Sequence, residues 1–99
     1  MKPHGFHREA EAEYAEAAGY YAQIDPALGG RFYDEIERLI AEVCARPQLY
    51  RRQLGEVRRH FTEAYPYGIL YEDRPEAVRI LAVMNLHRDP EYWVHRLKH

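Results

Sequence analysis

The chain has 99 residues, 46% hydrophobic, 13% aromatic and 30% charged, with a formal charge of −2; this suits one domain over residues 1–99 and excludes a disordered chain, a collagen-like repeat and a solenoid. The longest uninterrupted apolar run, residues 80–84, is five residues long, against roughly 20 needed to span a bilayer, so no membrane contact is expected. The N-terminus carries no apolar signal core, and the lone Cys44 has no partner for an internal disulfide, so a cytoplasmic protein with a reduced core cysteine is expected.

Residues 2–7 suit a short first strand. The stretch "EAEAEYAEAAGYYAQI" (9–24) is built from good helix formers. Ala10, Tyr14, Ala17, Tyr21 and Ile24 recur at spacings of three and four, and Glu9, Glu11 and Glu13 fall where the helix dipole favours negative charge. "DPALGG" reads as a Gly/Pro loop. A second helix follows, with Phe32, Ile36, Leu39, Ile40 and Val43 on one face and Pro47 as its stop. The two helices therefore form an antiparallel hairpin.

The period then changes. Residues 46–56 read as a polar loop carrying Arg46, Arg51 and Arg52. "VRRHF" (57–61) alternates, with Val57, Arg59 and Phe61 opposite Arg58 and His60. "YPYGILYE" (65–72) puts Tyr67, Ile69 and Tyr71 on one face, with Gly68 and Leu70 on the other. "EDRPE" is a turn cluster, and "AVRILAVM" (77–84) is apolar on both faces, as a central strand is. Strict alternation there sets Val78, Ile80 and Ala82 against Arg79, Leu81 and Val83. Asp89 suits the cap of a short final helix, with Pro90 in its first turn. The expected architecture is α+β: an N-terminal strand, a helix hairpin packed on one face of an antiparallel meander, and a short C-terminal helix. The other sheet face is expected to be open.

Charge is divided along the chain. Residues 1–45 carry four basic and nine acidic groups; residues 46–99 carry ten basic and seven acidic. A basic half in a net acidic protein suits a face that meets a polyanion or an acidic surface.

Four segments, "FHREAEAEYAEAAGYYAQIDPALGGRFYDEIE" (6–37), "RPQLYRR" (46–52), "VRRHFTEAYPYGILYE" (57–72) and "ILAVMNLHRDPEYWVHRL" (80–97), together resemble the RelE/ParE superfamily of type II toxin–antitoxin toxins. The similarity is closest to the ParE-like plasmid stabilisation branch. It implies a growth-inhibiting toxin silenced by a cognate antitoxin, whose C-terminal segment folds onto the toxin and whose N-terminal part binds operator DNA. Two activities occur in the superfamily: ParE-like members poison DNA gyrase, and RelE-like members cleave mRNA on the ribosome. Family nucleases place an Arg inside the strand that here reads "YPYGILYE", where this chain has Gly68. Asn85 stands where many ParE-like relatives have His. Gyrase binding is the leading expectation. Ribosome-dependent cleavage is the alternative, as is a non-toxic relative that only binds antitoxin.

A nuclease needs an acid, a base and cations about the scissile phosphate. The candidates are His87, Arg88, Arg59 and Tyr92. A target-binding surface draws on Arg58, Arg59, Asn85, His87, Arg88, Tyr92, Trp93 and Arg96. The aromatics Tyr92 and Trp93 also read as the face that docks the last helix, and Arg96 as the partner of a carboxylate. Arg59, His87 and Arg88 are expected to meet in one basic rim. Tyr20, Tyr21 and Tyr33 offer more aromatic surface than one stripe needs, which marks them for the antitoxin. His95 and His99 are four apart, but no third ligand is evident. No metal and no cofactor are expected.

Overall fold

The computed structural model describes residues 1–97. In chain order these form β1 (His4–Phe6), α1 (Arg8–Ile24), α2 (Pro26–Ala45), β2 (Arg52–Leu54), β3 (Val57–Phe61), β4 (Tyr67–Asp73), β5 (Val78–Asn85) and a 3-10 turn at Val94–Leu97. The α+β architecture is the expected one.

The helix hairpin is tighter than its Gly/Pro content suggests. Asp25 is the whole connection: its N–H closes α1 onto Tyr21 O, and its carboxylate caps α2 by accepting from the Ala27 N–H at 3.0 Å. Pro26 occupies the first helical position, where no N–H is needed. The expected loop is therefore the first turn of α2. Gly29 lies inside that helix because a Cβ there would stand 2.7 Å from Ala22 Cβ, so the glycine lets the two helices touch. Ile24, expected on the buried stripe, is 61% exposed at the helix end.

The sheet order is β1-β5-β4-β3-β2. β3, β4 and β5 form the antiparallel meander, but β1 lies parallel to β5, so the sheet is mixed. The segment read as a polar loop contains a strand, β2, which pairs with β3. Gly55, with φ 57°, makes the two-residue turn between Leu54 and Val57. Three residues are too few for a period to show.

One helix-facing core gathers Phe32, Ile36, Leu39, Val43, Ile69, Tyr71, Val78, Ile80 and Val83. The opposite face holds Val57, Leu70, Leu81, Ala82 and Met84. Strict alternation along β5 fails because Tyr71 pairs with Ile80 and Leu70 with Ala82, leaving Leu81 extra. This bulge shifts the parity. Ile80 and Val83 consequently share the helix side, and Leu81 and Ala82 share the other. An apolar residue was acceptable on either face, so the sequence pattern did not reveal the slip.

The second face is not open. Residues 90–97 fold over it and bury Trp93 completely. Asp89 does cap this segment, accepting from the Glu91 N–H at 3.0 Å. The following bonds run over three residues (Tyr92 N to Asp89 O, Val94 N to Glu91 O, Arg96 N to Trp93 O), so turns and a 3-10 turn replace the expected α-helix.

Candidate functional site

The central polar feature is Glu13, on the edge of the α1 apolar stripe. β1 pairs with β5 only as far as Ile80, so the rest of that strand has a free edge. Glu13 fills part of it. One carboxylate oxygen accepts from the Val83 N–H at 3.1 Å and Arg96 Nη1 at 2.8 Å; the other accepts from Arg96 Nη2 at 2.9 Å and the Tyr92 hydroxyl at 2.5 Å. Arg96 also donates to Leu81 O at 2.9 Å. The pair thus satisfies an N–H and a C=O that a neighbouring strand would otherwise bond. Burial opposes charge on Arg96, but Glu13 outweighs it and the guanidinium pKa rises. Burial and then the Glu13 carboxylate raise the pKa of the Tyr92 phenol.

This network uses much of the expected functional set for structure. Trp93 is 0% and Arg96 4% exposed, so neither presents a contact surface. Tyr92 is engaged with Glu13, and the Arg88 guanidinium lies 3.7 Å over the Tyr92 ring and 3.5 Å from Glu13. Asn85 accepts from the His87 N–H at 2.9 Å and shapes the turn, leaving His87 exposed.

Arg59 belongs elsewhere. It pairs in register with Leu70, which in turn faces Ala82, in the middle of the sheet. His87 and Arg88 lie past the end of β5, and Arg88 turns toward Glu13 on α1. The rim expected from Arg59, His87 and Arg88 is therefore not assembled; β4 and the last residues of β5 separate its parts. Arg59 donates to Gln53 Oε1 at 3.1 Å and lies over Phe61, whereas Arg58, on the opposite face, donates to Tyr50 O at 2.8 Å. The histidine of that strand, His60, is 2.7 Å from Glu42 and stacked on Tyr50; this bond depresses the Glu42 pKa.

Gly68 has a steric reason. It pairs with Phe61, and a Cβ there would overlap the Phe61 ring. The ring takes the place that a side chain on β4 would need.

A cleft of about 540 Å³ runs between α1 and the free end of β5, lined by Glu16, Tyr20, Tyr21, Tyr67, Asn85 and Arg88 among others. Tyr20 is 60% exposed on its wall. Tyr21 is half-buried against Phe32, Tyr65 and Tyr67. Tyr33 is also exposed but lies apart, stacked on Tyr14. No group of residues able to hold a metal occurs among the described residues; His99 lies outside them. No helix among them is long and apolar enough to cross a membrane.

Glu13 was missed by sequence reading as more than a dipole-compensating residue. Its signal was its position, three residues after Ala10 and four before Ala17, beside the buried stripe.

The fold is similar to that of a solved "Chromosomal ParDE TA system from P. aeruginosa". That structure aligns with a TM-score of 0.76 at 16% identity, covering 88% of this chain and 98% of the other. The family model for the ParE toxin of the type II toxin–antitoxin system parDE matches residues 5–90, and the chain belongs to that family. No curated protein matches it significantly.

Proposed function

We propose that this toxin arrests growth by binding its target, DNA gyrase, without chemistry of its own, and that a cognate antitoxin silences it from the cleft between α1 and β5. The observation that carries the first part is the dispersal of the nuclease candidates. Arg59 is separated from His87 and Arg88, Tyr92 is held by Glu13, and Phe61 fills the space beside Gly68. A phosphodiester cleavage site needs its acid, base and cations around one phosphate. Binding tolerates separated contacts. The surface left for the target is Arg58, Arg59, Asn85, His87 and Arg88.

The cleft supports the second part. It offers exposed Tyr20 and an unpaired strand end, which suit an amphipathic or extended segment. Tyr20→Glu should weaken antitoxin binding more than Tyr33→Glu, because Tyr33 does not line the cleft.

Gyrase supercoiling in the presence of the purified protein, alongside primer extension on transcripts from arrested cells, tests the reading. Inhibited supercoiling with uncut transcripts is expected. Ribosome-dependent cuts at discrete positions would overturn it. Full loss of activity on His87→Ala, on the order of 10²–10⁴-fold, would also favour catalysis; a loss of about tenfold or less fits one contact at an interface.

A further inference from the structure

The edge of the sheet farthest from the cleft is unusual in its charge. β2 ends the sheet, so one side of its backbone has no strand partner. Arg51 gives its carbonyl to the Arg59 N–H at 2.9 Å, so by strand alternation the peptide groups of Arg52 point outward. Arg52 lies directly opposite Arg58, a like-charge cross-strand pair, which is destabilising. With Arg51, Arg59 and Arg46 nearby in the chain, five arginines occupy β2, β3 and the approach to them.

Their partners are neutral or weak. Arg58 and Arg59 are satisfied by a carbonyl and an amide oxygen. Arg52 reaches Glu56 at 3.6 Å, with both side chains more than half exposed. Arg46 and Arg51 are exposed, and their side chains have no hydrogen-bond or ion-pair partner among the described residues. Arg96 and Arg38, by contrast, are held closely by carboxylates: Arg96 has Glu13, and Arg38 has both Glu35 and Glu42 at 3.0 Å. Two leucines, Leu49 and Leu54, are 60% and 42% exposed in the same segment.

We infer that the β2 edge binds an extended acidic segment of the target protein, which adds to the sheet as a sixth strand. Its backbone pairs with the outward peptide groups of Arg52. Its carboxylates neutralise Arg46, Arg51 and Arg52, and its apolar residues cover Leu49 and Leu54. A strand edge and exposed leucines favour polypeptide over nucleic acid, which uses neither. The target, and not the antitoxin, is the occupant because the proposed antitoxin cleft lies at the opposite side of the sheet. The inference rests on the target-binding reading above, and it adds Arg46, Leu49, Arg51, Arg52 and Leu54 to that reading.

The test uses the full chain, labelled for NMR, and a twelve-residue peptide of alternating glutamate and valine. Amide shifts confined to residues 46–59, weakening as salt rises, are expected; the same peptide with glutamine for glutamate should leave them unmoved. Arg51→Glu combined with Arg52→Glu should reduce peptide affinity by about tenfold or more. Arg52→Pro should reduce it beyond Arg52→Ala, because only proline removes the outward N–H. Shifts elsewhere, or a single-stranded RNA displacing the peptide from the edge, would overturn the inference. In cells, the double charge reversal should relieve growth arrest while antitoxin binding persists. Undiminished arrest with uncut transcripts would sink the β2 site and leave target binding standing; cut transcripts would sink target binding itself.

Discussion

The two faces of the sheet are both buried, but by different means. The helix face is sealed by two long amphipathic helices whose apolar side chains interlock with Ile69, Tyr71, Val78, Ile80 and Val83. Many similar contacts share that load. The other face is sealed by eight residues, with one indole over a small apolar patch and one carboxylate, Glu13, fixing the end of the chain. An ion pair in a buried setting contributes little net stability over an apolar replacement, but breaking it is costly. The first face thus supplies stability through redundancy, and the second supplies position through a few specific bonds. It follows that the most sensitive sites for mutation include residues of the short chain end.

The sharpest test of that contrast is Trp93→Ala. Removing a fully buried indole should cost about 3–5 kcal/mol, a large share of the roughly 5–15 kcal/mol available to a domain of this size. The melting temperature should fall by at least about 15 °C. A fall below about 5 °C would mean that residues 90–97 do not belong to the core. Ile80→Ala, on the helix face, should cost about 2–5 kcal/mol by the same cavity argument.

Glu13→Ala comes next, at about 3 kcal/mol, because it strands the Arg96 guanidinium in a buried setting. The double variant Glu13→Leu, Arg96→Met should recover most of that loss if the ion pair gives position more than stability. Chemical denaturation of the three proteins measures this. A double variant no more stable than Glu13→Ala would show that the pair stabilises outright. Gly68→Ala is smaller, at about 1–3 kcal/mol for overpacking against Phe61; Gly68→Ala combined with Phe61→Leu should be milder than Gly68→Ala alone.

The helix hairpin and the meander were legible because they are long and periodic: the buried stripe Phe32, Ile36, Leu39, Ile40 and Val43 is the one the spacing marks. What was not legible depends on single residues or on distant ones. Asp25 both ends α1 and starts α2, which compresses an apparent six-residue loop into one residue. β2 is three residues long. The bulge at Leu81 hides in a run that is apolar throughout. Of the site, the excess basic charge in the second half was visible, but its placement was not. Arg88 and Arg96 find Glu13 across more than 70 residues of chain, whereas Arg46 and Arg51 find no carboxylate, and no local pattern separates those two outcomes.

The smallest expected effect concerns acid, and it contrasts the buried pair at Glu13 with a partly exposed one on the helix side. Lys2 Nζ lies 2.5 Å from Asp73 and also donates to Arg74 O at 2.6 Å, tying the N-terminal segment to the end of β4. The bond from Lys2, then that from Gln48, holds the Asp73 carboxyl below its ordinary range, although burial pushes the other way. A carboxyl whose folded pKa lies below its unfolded value of about 3.9 favours the folded state above that value. The contribution is lost as pH falls through the folded pKa. Glu42, bonded to His60 and Arg38, and Glu35, bonded to Arg38, are depressed in the same sense. Stability should therefore be flat from neutral pH to about 5 in this respect and decline below about 4. Asp73→Asn should cost no more than about 1 kcal/mol at pH 7, as for a partly exposed pair, and should lessen the decline in acid. The measurement is denaturant unfolding of both proteins between pH 7 and pH 2.5. Parallel curves throughout that range would mean that Lys2 and Asp73 do not hold each other in solution.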